Sequence, residues 1–356
     1  MSPGAITVNL KFSAEFTVMK IRDINFSIMK NTKTEILELL EKNRNEFVSG
    51  EFIAESLGIT RAAVWKNIKG LKSGGHKIHA EPHNGYSLSG LSDVLSKDGI
   101  KKYLAEDTKI SNVIYLETVD STNNYAKKHP LPHGTLIAAN EQTAGRGRYG
   151  HSFESPAGTG LYMSLVLKPE IEISKFQMIT IADAVAVCLA IEDLYADSKS
   201  RIKIKWVNDV FFNSKKITGI LTEAVTNFES GEIESVITGI GVNVSTKKFT
   251  QTAGEFAGSI FGTDDEILFS RNELCAKIAD YVMNFAENLS SPDLIDAYRE
   301  RSLLKRGEKI TYMKDGEKLS ATVKSIDDSG GLVIKTKSGV EETLRSGEVH
   351  SVRKGV

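Results

Sequence analysis

Gly145-Arg146-Gly147-Arg148-Tyr149-Gly150 fits the G-x-G-x-x-G pattern of a dinucleotide-binding turn, and it comes after a strand-like stretch, Thr135 to Ala139. Such a turn also needs a helix to begin inside the pattern, so that the helix N-terminus meets a pyrophosphate. The next residues are instead His151-Ser152-Phe153-Glu154-Ser155-Pro156, then Gly158 and Gly160. A proline and two glycines so close together forbid a useful helix. The dinucleotide reading therefore fails. As a loop over an anion the same residues make sense: glycines let the backbone fold around a ligand and expose its amides, and Arg146 and Arg148 add forked donors suited to phosphate or carboxylate. The competing reading is a solvated turn, for which two arginines held among three glycines are unusual.

Outward from this loop the chain alternates strand-like and helix-like stretches. Val113 to Leu116, Thr135 to Ala139, Leu161 to Leu167, Ile202 to Trp206, Lys216 to Ala224 and Glu234 to Val244 read as strands. Ser121 to Lys128, Phe176 to Tyr195 and Arg271 to Asn288 read as helices. Strands outnumber helices and mostly lack crossover helices between them, which favours a mixed α+β sheet over a doubly wound parallel one. Within Lys205-Trp206-Val207-Asn208-Asp209, alternation turns Ile202, Ile204 and Trp206 to one face and Lys203 and Lys205 to the other. An edge lysine is ordinarily a solvated guard against aggregation. The Asn-Asp turn directly after Lys205 makes it a candidate for ligand contact.

Before the mixed region, Ile36, Leu37 and Leu40 share a helical face. Ser49 is a candidate cap of a second helix, expected to bury Phe52, Ile53 and Leu57 and to end at Gly58. Thr60 caps a third helix, in which Val64, Ile68 and Leu71 share a face, and Trp65 is expected to pack. This is helix-turn-helix spacing, and Lys77 to Ala80 with Tyr86 to Leu88 read as a two-stranded wing. Arg61, Lys66, Lys69, Lys72 and Lys77 fall between Thr60 and His79 with no acidic residue among them. A basic stripe of this kind is the footprint of phosphate contacts. Arg61, Lys66, Asn67 and Lys69 are the candidate DNA-contacting residues; a helical trio that merely mediates protein contacts is the alternative.

The chain has 356 residues and a formal net charge of -1, so several domains are expected and any nucleic-acid surface must come from local clustering. Cys188 and Cys275 lie far apart in apolar helix-like stretches, which fits buried, reduced thiols in the cytoplasm; no metal-ligand cluster is read. Ile179 to Leu194 is interrupted by Asp183, Glu192 and Asp193, so no membrane span is expected. Residues 1–32 form an N-terminal extension with no signal-peptide pattern. Met29 is read as the translation start, against an alternative in which Ile24, Phe26 and Ile28 belong to a real strand. From Gly307 onward, Lys309 to Met313, Leu319 to Ile326, Leu332 to Lys337 and Val340 to Leu344 are short strands with frequent turns, the pattern of a small barrel.

Asp120-Ser121-Thr122-Asn123, Gln142, the Gly145 to Gly150 loop, Lys205 to Asp209, Lys216-Ile217-Thr218-Gly219-Ile220-Leu221 and Gly239-Ile240-Gly241-Val242-Asn243 come in the order seen in biotin protein ligases. From the helix-turn-helix to its C-terminus the chain resembles the bifunctional members of that family, which also repress the biotin operon. The resemblance implies a multidomain α+β protein: a winged helix-turn-helix at 33–92, a mixed-sheet ligase domain at 93–304 and an SH3-like barrel at 305–356. It implies activation of biotin by ATP and Mg²⁺ to biotinyl-5′-AMP, then transfer to a lysine of a biotin carboxyl carrier protein. Lys205 and Arg148 would be the catalytic residues. Ser121, Thr122, Asn123 and Gln142 would line the biotin site. Arg146 and Arg148, with Gly145, Gly147, Tyr149 and Gly150, would close over the adenylate. Lys205 would lie by the carboxylate and α-phosphate with Asn208 beside it, and Asn243 near the adenine. Gly219, Gly239 and Gly241 would leave room for the ligand.

The resemblance further implies operator DNA as a partner and a homodimer in the adenylate-bound state. The chemistry agrees, because two anions must be brought together against their repulsion by fixed cations. Val207, Phe153 and Tyr149 depart from the proline, tryptophan and arginine usual at those places. The weighed alternatives are a lipoate-type acyl-protein ligase, a non-catalytic biotin-sensing DNA-binding regulator, and a ligase whose DNA-binding module is vestigial.

Overall fold

In a computed structural model, the structure describes residues 32–90, 92–168, 176–226, 233–250, 256–263, 265–314, 316–347 and 349–351. The expected N-terminal strand and the choice of start at Met29 lie outside the described residues. The chain divides into two units, one running to Ser89 and the other beginning at Gly90.

The first unit holds helices α1 (Thr32–Lys42), α2 (Gly50–Leu57) and α3 (Arg61–Ser73) and the antiparallel strands β1 (Ile78–Glu81) and β2 (Gly85–Leu88). The capping chemistry is as the sequence requires. Ser49 accepts from the Phe52 amide at 3.0 Å and Thr60 from the Ala63 amide at 3.2 Å, while Gly58 ends α2 in the left-handed region at φ 63. Ile36, Leu40, Ile53, Val64, Ile68, Leu71 and Leu88 make the core. Val48 exchanges two 2.9 Å backbone hydrogen bonds with Tyr86, adding a bridge to the wing. A side chain at Gly85 would collide with the Val48 carbonyl, and Gly85 has φ +103, so both space and backbone demand glycine there.

Three side-chain expectations are not met in this unit. Phe52 is 53% exposed, because Ile53 and Ala54 form the buried stripe of a short helix and Phe52 is turned off it; Leu57 is only half-buried. Trp65 is 58% exposed rather than packed, because Val64, Ile68 and Leu71 already define the inward face of α3.

The second unit is built on a seven-stranded sheet of β3 (Asn112–Val119), β4 (Thr135–Gln142), β5 (Gly160–Leu167), β6 (Ile202–Lys205), β7 (Asp209–Phe212), β8 (Lys215–Thr226) and β9 (Ile233–Asn243). The order is β3-β4-β5-β9-β8-β7-β6. Only β3 and β4 run parallel, joined through α5 (Thr122–Lys128); α4 (Lys97–Tyr103) precedes β3. The sheet is mixed, as its strand and helix pattern required. Helices α6 (Phe176–Leu194), α7 (Arg271–Glu287) and α8 (Pro292–Arg301) share its core. The α6 sequence is apolar nearly all round and is buried nearly all round. Both cysteines are buried free thiols. Arg301 clamps Glu192 through bonds of 2.9 and 2.6 Å, tying α8 to α6.

The same unit carries a five-stranded antiparallel sheet: β10 (Lys309–Lys314), β11 (Glu317–Ile326), β12 (Leu332–Thr336), β13 (Glu341–Leu344) and β14 (Val349–Ser351). Its order is β13-β12-β11-β10-β14, with no ladder joining β13 to β14 among the described residues. Among the described residues no helix is long and apolar enough to cross a membrane.

Candidate active site and nucleic-acid interface

The loop Gly145–Gly150 leaves the end of β4 and returns on itself. The Gly147 amide donates to the His151 carbonyl at 2.7 Å and the Phe153 amide to the Gly145 carbonyl at 2.9 Å. A side chain at Gly145 would collide with the Phe153 carbonyl, so this glycine is required by close approach. Tyr149 (φ 54) and Gly150 (φ 79) turn the backbone through the left-handed region, within a short 3₁₀ turn at Arg148–Gly150. No α-helix starts here. The amides and arginines are therefore presented by a loop.

The two arginines separate. Arg146 reaches Glu223 on β8 at 3.0 Å. Arg148 donates to Asn208 Oδ1 at 3.1 Å and to the Tyr149 hydroxyl at 3.1 Å. Asn208 is itself fixed by donating to the Ile220 carbonyl at 2.9 Å. Lys205 ends β6, and its register partner Asp209 begins β7, so the intervening turn is a tight hairpin. Lys216 pairs with Asp209 at 2.8 Å. Together Arg146, Arg148, Lys205, Asn208, Asp209 and Lys216 line a groove of about 190 Å³, which Gly147, Tyr149 and Gly219 also border. Four of these six side chains are cationic, which suits the approach of anions.

A second, smaller cavity of about 20 Å³ adjoins it, lined by Ser121, Thr122, Asn123, Gln142, Gly239 and Gly241 among others. Thr122, Asn123 and Gln142 belong to one connected set of hydrogen bonds. Gln142 Oε1 accepts from the Thr122 amide at 2.9 Å, and its Nε2 donates to Ser155 Oγ at 2.9 Å. The Ser164 hydroxyl lies 2.7 Å from Thr122 Oγ1 and 2.6 Å from Asn123 Oδ1. Asn123 donates to the Leu221 carbonyl at 3.0 Å and to Glu223 at 2.9 Å. For Glu223, burial works to raise its pKa, but Lys127, Asn123 and Arg146 hold it below the usual carboxylate range. Phe153, Gly219 and Arg146 border both cavities. Gly219 faces Gly241 across the β8–β9 ladder, and a Cβ on Gly241 would stand 2.5 Å from the Phe153 ring. A Cβ on Gly239 would collide with Asn123.

Sequence reasoning missed Glu223, Ser155 and Ser164. Glu223 was findable, because alternation along β8 puts Gly219, Leu221 and Glu223 on one face. Asn243 borders neither cavity. It is buried at the end of β9, and its Oδ1 has no partner among the described residues. From the C-terminal sheet, Val349 and His350 also border the larger groove, and no motif pointed to them.

In the first unit, α3 and the wing border an open cleft of about 750 Å³, lined by Arg61, Trp65, Lys69, Lys72, Glu81 and His83 among others. Lys69 Nζ lies 5.3 Å from the Trp65 ring centre. Lys66 is exposed on the same helix. Asn67, by contrast, is half-buried and spends its amide on the Ala63 carbonyl at 2.9 Å.

The fold places a groove lined by four cationic side chains beside a small polar pocket. Comparison with known proteins gives the family. Residues 115–243 match the biotin/lipoate A/B protein ligase family, 32–87 an HTH domain, and 307–350 the biotin protein ligase C-terminal domain. The bifunctional ligase/repressor BirA of Bacillus subtilis (strain 168) is 38% identical over 221 residues, 61% of this chain and 66% of that protein. The bifunctional ligase/repressor BirA of Salmonella typhimurium is 29% identical over 334 residues, 90% of this chain and 100% of that protein. The structure of biotin protein ligase from Aquifex aeolicus in complex with biotin and ATP superposes with a TM-score of 0.55 at 26% identity, covering 68% of this chain and 98% of that one. The chain belongs to the biotin protein ligase family, on the side of its bifunctional ligase/repressors.

Proposed function

We propose that this protein makes biotinyl-5′-AMP from biotin and ATP and transfers the biotin to a lysine of a biotin carboxyl carrier protein. The observation that carries this reading is the Arg148–Asn208 contact, which brings the glycine loop to the Lys205 end of β6 beside a polar pocket. Biotin's ring would sit with Ser121, Thr122, Asn123 and Gln142, and its carboxylate would run past Gly219 and Gly241 toward Lys205. Lys205, Arg148 and Lys216 offset the repulsion between carboxylate and α-phosphate. Both nucleophiles come from substrates, first the biotin carboxylate and then the carrier lysine, so the protein's part is to place charges and exclude water. The groove's donors are mainly cationic, with Asp209 already paired to Lys216. That set fits phosphates carrying their own Mg²⁺ better than a metal held by the protein. Asn243, outside both cavities, is proposed to act only through the end of β9.

Residues 33–92 are read as the winged DNA-binding domain, 93–304 as the ligase domain and 305–356 as an SH3-like domain that completes the nucleotide site and helps dock the carrier. Arg61, Lys66 and Lys69 on the exposed face of α3 support operator binding. A homodimer formed with adenylate bound would match a two-part operator. The cytoplasm is its proposed location.

The test is biotin-dependent pyrophosphate release from ATP by purified protein, before and after a carrier domain is added. Release of about one equivalent, followed by turnover with carrier, is the expected result. No biotin-dependent release overturns the ligase reading and leaves a biotin-sensing DNA-binding regulator; release with lipoate in place of biotin reassigns the substrate.

A further inference from the structure

Among the described residues, the turn between β11 and β12 meets the Lys205–Asp209 segment through the carbonyl oxygen of Gly330. It accepts from Trp206 Nε1 at 2.9 Å in a buried contact and from Gln177 Nε2 of α6 at 2.8 Å. The turn that presents it is braced from several sides. Asp327 accepts from the amides of Ser329 and Gly331 at 2.9 and 2.7 Å and pairs with Arg345 at 3.0 Å. Arg299 of α8 holds the Ile326 carbonyl through bonds of 3.0 and 2.8 Å and the Asp328 carboxylate at 2.7 Å. Gly330 sits at φ +80, and a side chain there would collide with Ile181 of α6. The turn is thus a rigid piece seated on α6.

We infer that this turn is a positioning element for the adenylation site, holding Lys205 and Asn208 in register through the bond from Trp206 to Gly330. Trp206 is the residue between the end of β6 and the turn that carries Asn208, and its ring is buried. One residue on, the Val207 carbonyl accepts from the buried Tyr298 hydroxyl at 3.1 Å. Two anchors therefore fix the backbone between Lys205 and Asn208, one from α8 and one from the C-terminal sheet. A displacement of about 1 Å at a positioned charge costs up to about 10²-fold in rate, so a tether of this kind acts on catalysis through the placement of Lys205 and Asn208. The inference rests on the ligase reading above.

The two donors on one acceptor make the idea separable from fold stability. Trp206→Phe keeps a buried ring and removes the Nε1 donor, yet Gly330 retains Gln177, so no buried carbonyl is orphaned. Gln177→Leu removes the other donor and leaves the Trp206 tether in place. Single-turnover formation of biotinyl adenylate is measured for both variants and the parent, with biotin and ATP affinities and thermal midpoints. Expected is a slowing of about tenfold for Trp206→Phe, with affinities and midpoint near the parent's, and a rate near the parent's for Gln177→Leu. An unchanged rate in Trp206→Phe, an equal slowing in both variants, or a loss seen only in affinity overturns the positioning role. A parent that forms no adenylate overturns the ligase reading itself, and this inference with it.

Discussion

Replacing Asp183 by asparagine should flatten the dependence of stability on pH and stabilise the protein at mildly alkaline pH. Asp183 lies inside α6 with no exposed surface. One carboxylate oxygen accepts from the Thr238 hydroxyl and has the Thr222 hydroxyl at 3.5 Å; the other has no partner among the described residues. Burial pushes its pKa from the usual 3.8 up to about 7, with the two threonine hydroxyls pulling in the opposite direction. The folded protein therefore keeps this proton through a range in which the unfolded chain has lost it. Stability from this group is fully present below the unfolded value and is lost as pH rises through about 7. The shift amounts to about 4 kcal/mol in all, of which about 3 kcal/mol falls between roughly pH 5 and 8. Asparagine carries no charge to desolvate, although its amide needs an acceptor and costs about 1–3 kcal/mol if it finds none. That cost is the same at every pH, so the difference between variant and parent isolates the titration. Urea unfolding of both proteins across this pH range, extrapolated to water, gives that difference. Parallel stability curves would show that Asp183 is ionised in the folded protein or reached by water, and the reasoning would fall.

Arg148→Gly frees the loop from Asn208 and should let the adenylate escape, so that lysines on bystander proteins become biotinylated; a variant as selective as the parent removes the retaining role. Lys205→Ala should slow pyrophosphate release by about 10² or more while leaving the unfolding midpoint nearly unchanged, and an unaltered rate takes Lys205 out of the mechanism. Gly241→Ala sets a Cβ 2.5 Å from Phe153, an overpacking of about 1–3 kcal/mol unless the ring moves into ligand space; biotin affinity by calorimetry should fall, and an unchanged affinity refutes the slot. Lys69→Ala should lower the salt slope of operator binding, read by fluorescence anisotropy, by about one, and an unchanged slope removes Lys69 from the interface.

The large periodic elements were legible because their residues carry the signal locally. Ser49, Gly58 and Thr60 mark helix ends by chemistry that depends on nothing distant. The failure of G-x-G-x-x-G came from Pro156 and two glycines alone. Strand β7 was hidden because Asn208-Asp209 reads as a turn and only Val210-Phe211-Phe212 comes after it, too few residues to show a period. Helix α8 does carry local signals, in Ser291 and Pro292, and sequence reasoning missed them. Trp65 and Phe52 were misplaced because whether an aromatic side chain turns inward depends on which neighbours already fill the core. The candidate site was legible as an ordered set of motifs. The division of labour between Arg146 and Arg148 was not, since it depends on Glu223 and Asn208, which lie far along the chain. The seat of Gly330 on Trp206 depends on tertiary approach and has no local trace.

The bare patch where Gly219 faces Gly241, with Gly239 nearby, also has a genetic consequence. Every single-base change in a glycine codon that alters the amino acid and does not stop translation introduces a side chain with a Cβ. No missense neighbour of these codons can leave the patch bare, so drift has no graded route through these positions. A library of random variants selected for biotin-dependent growth should therefore return synonymous changes there and almost nothing else, whereas neighbours such as Ile240 and Val242, buried on the core side, should accept other aliphatic residues.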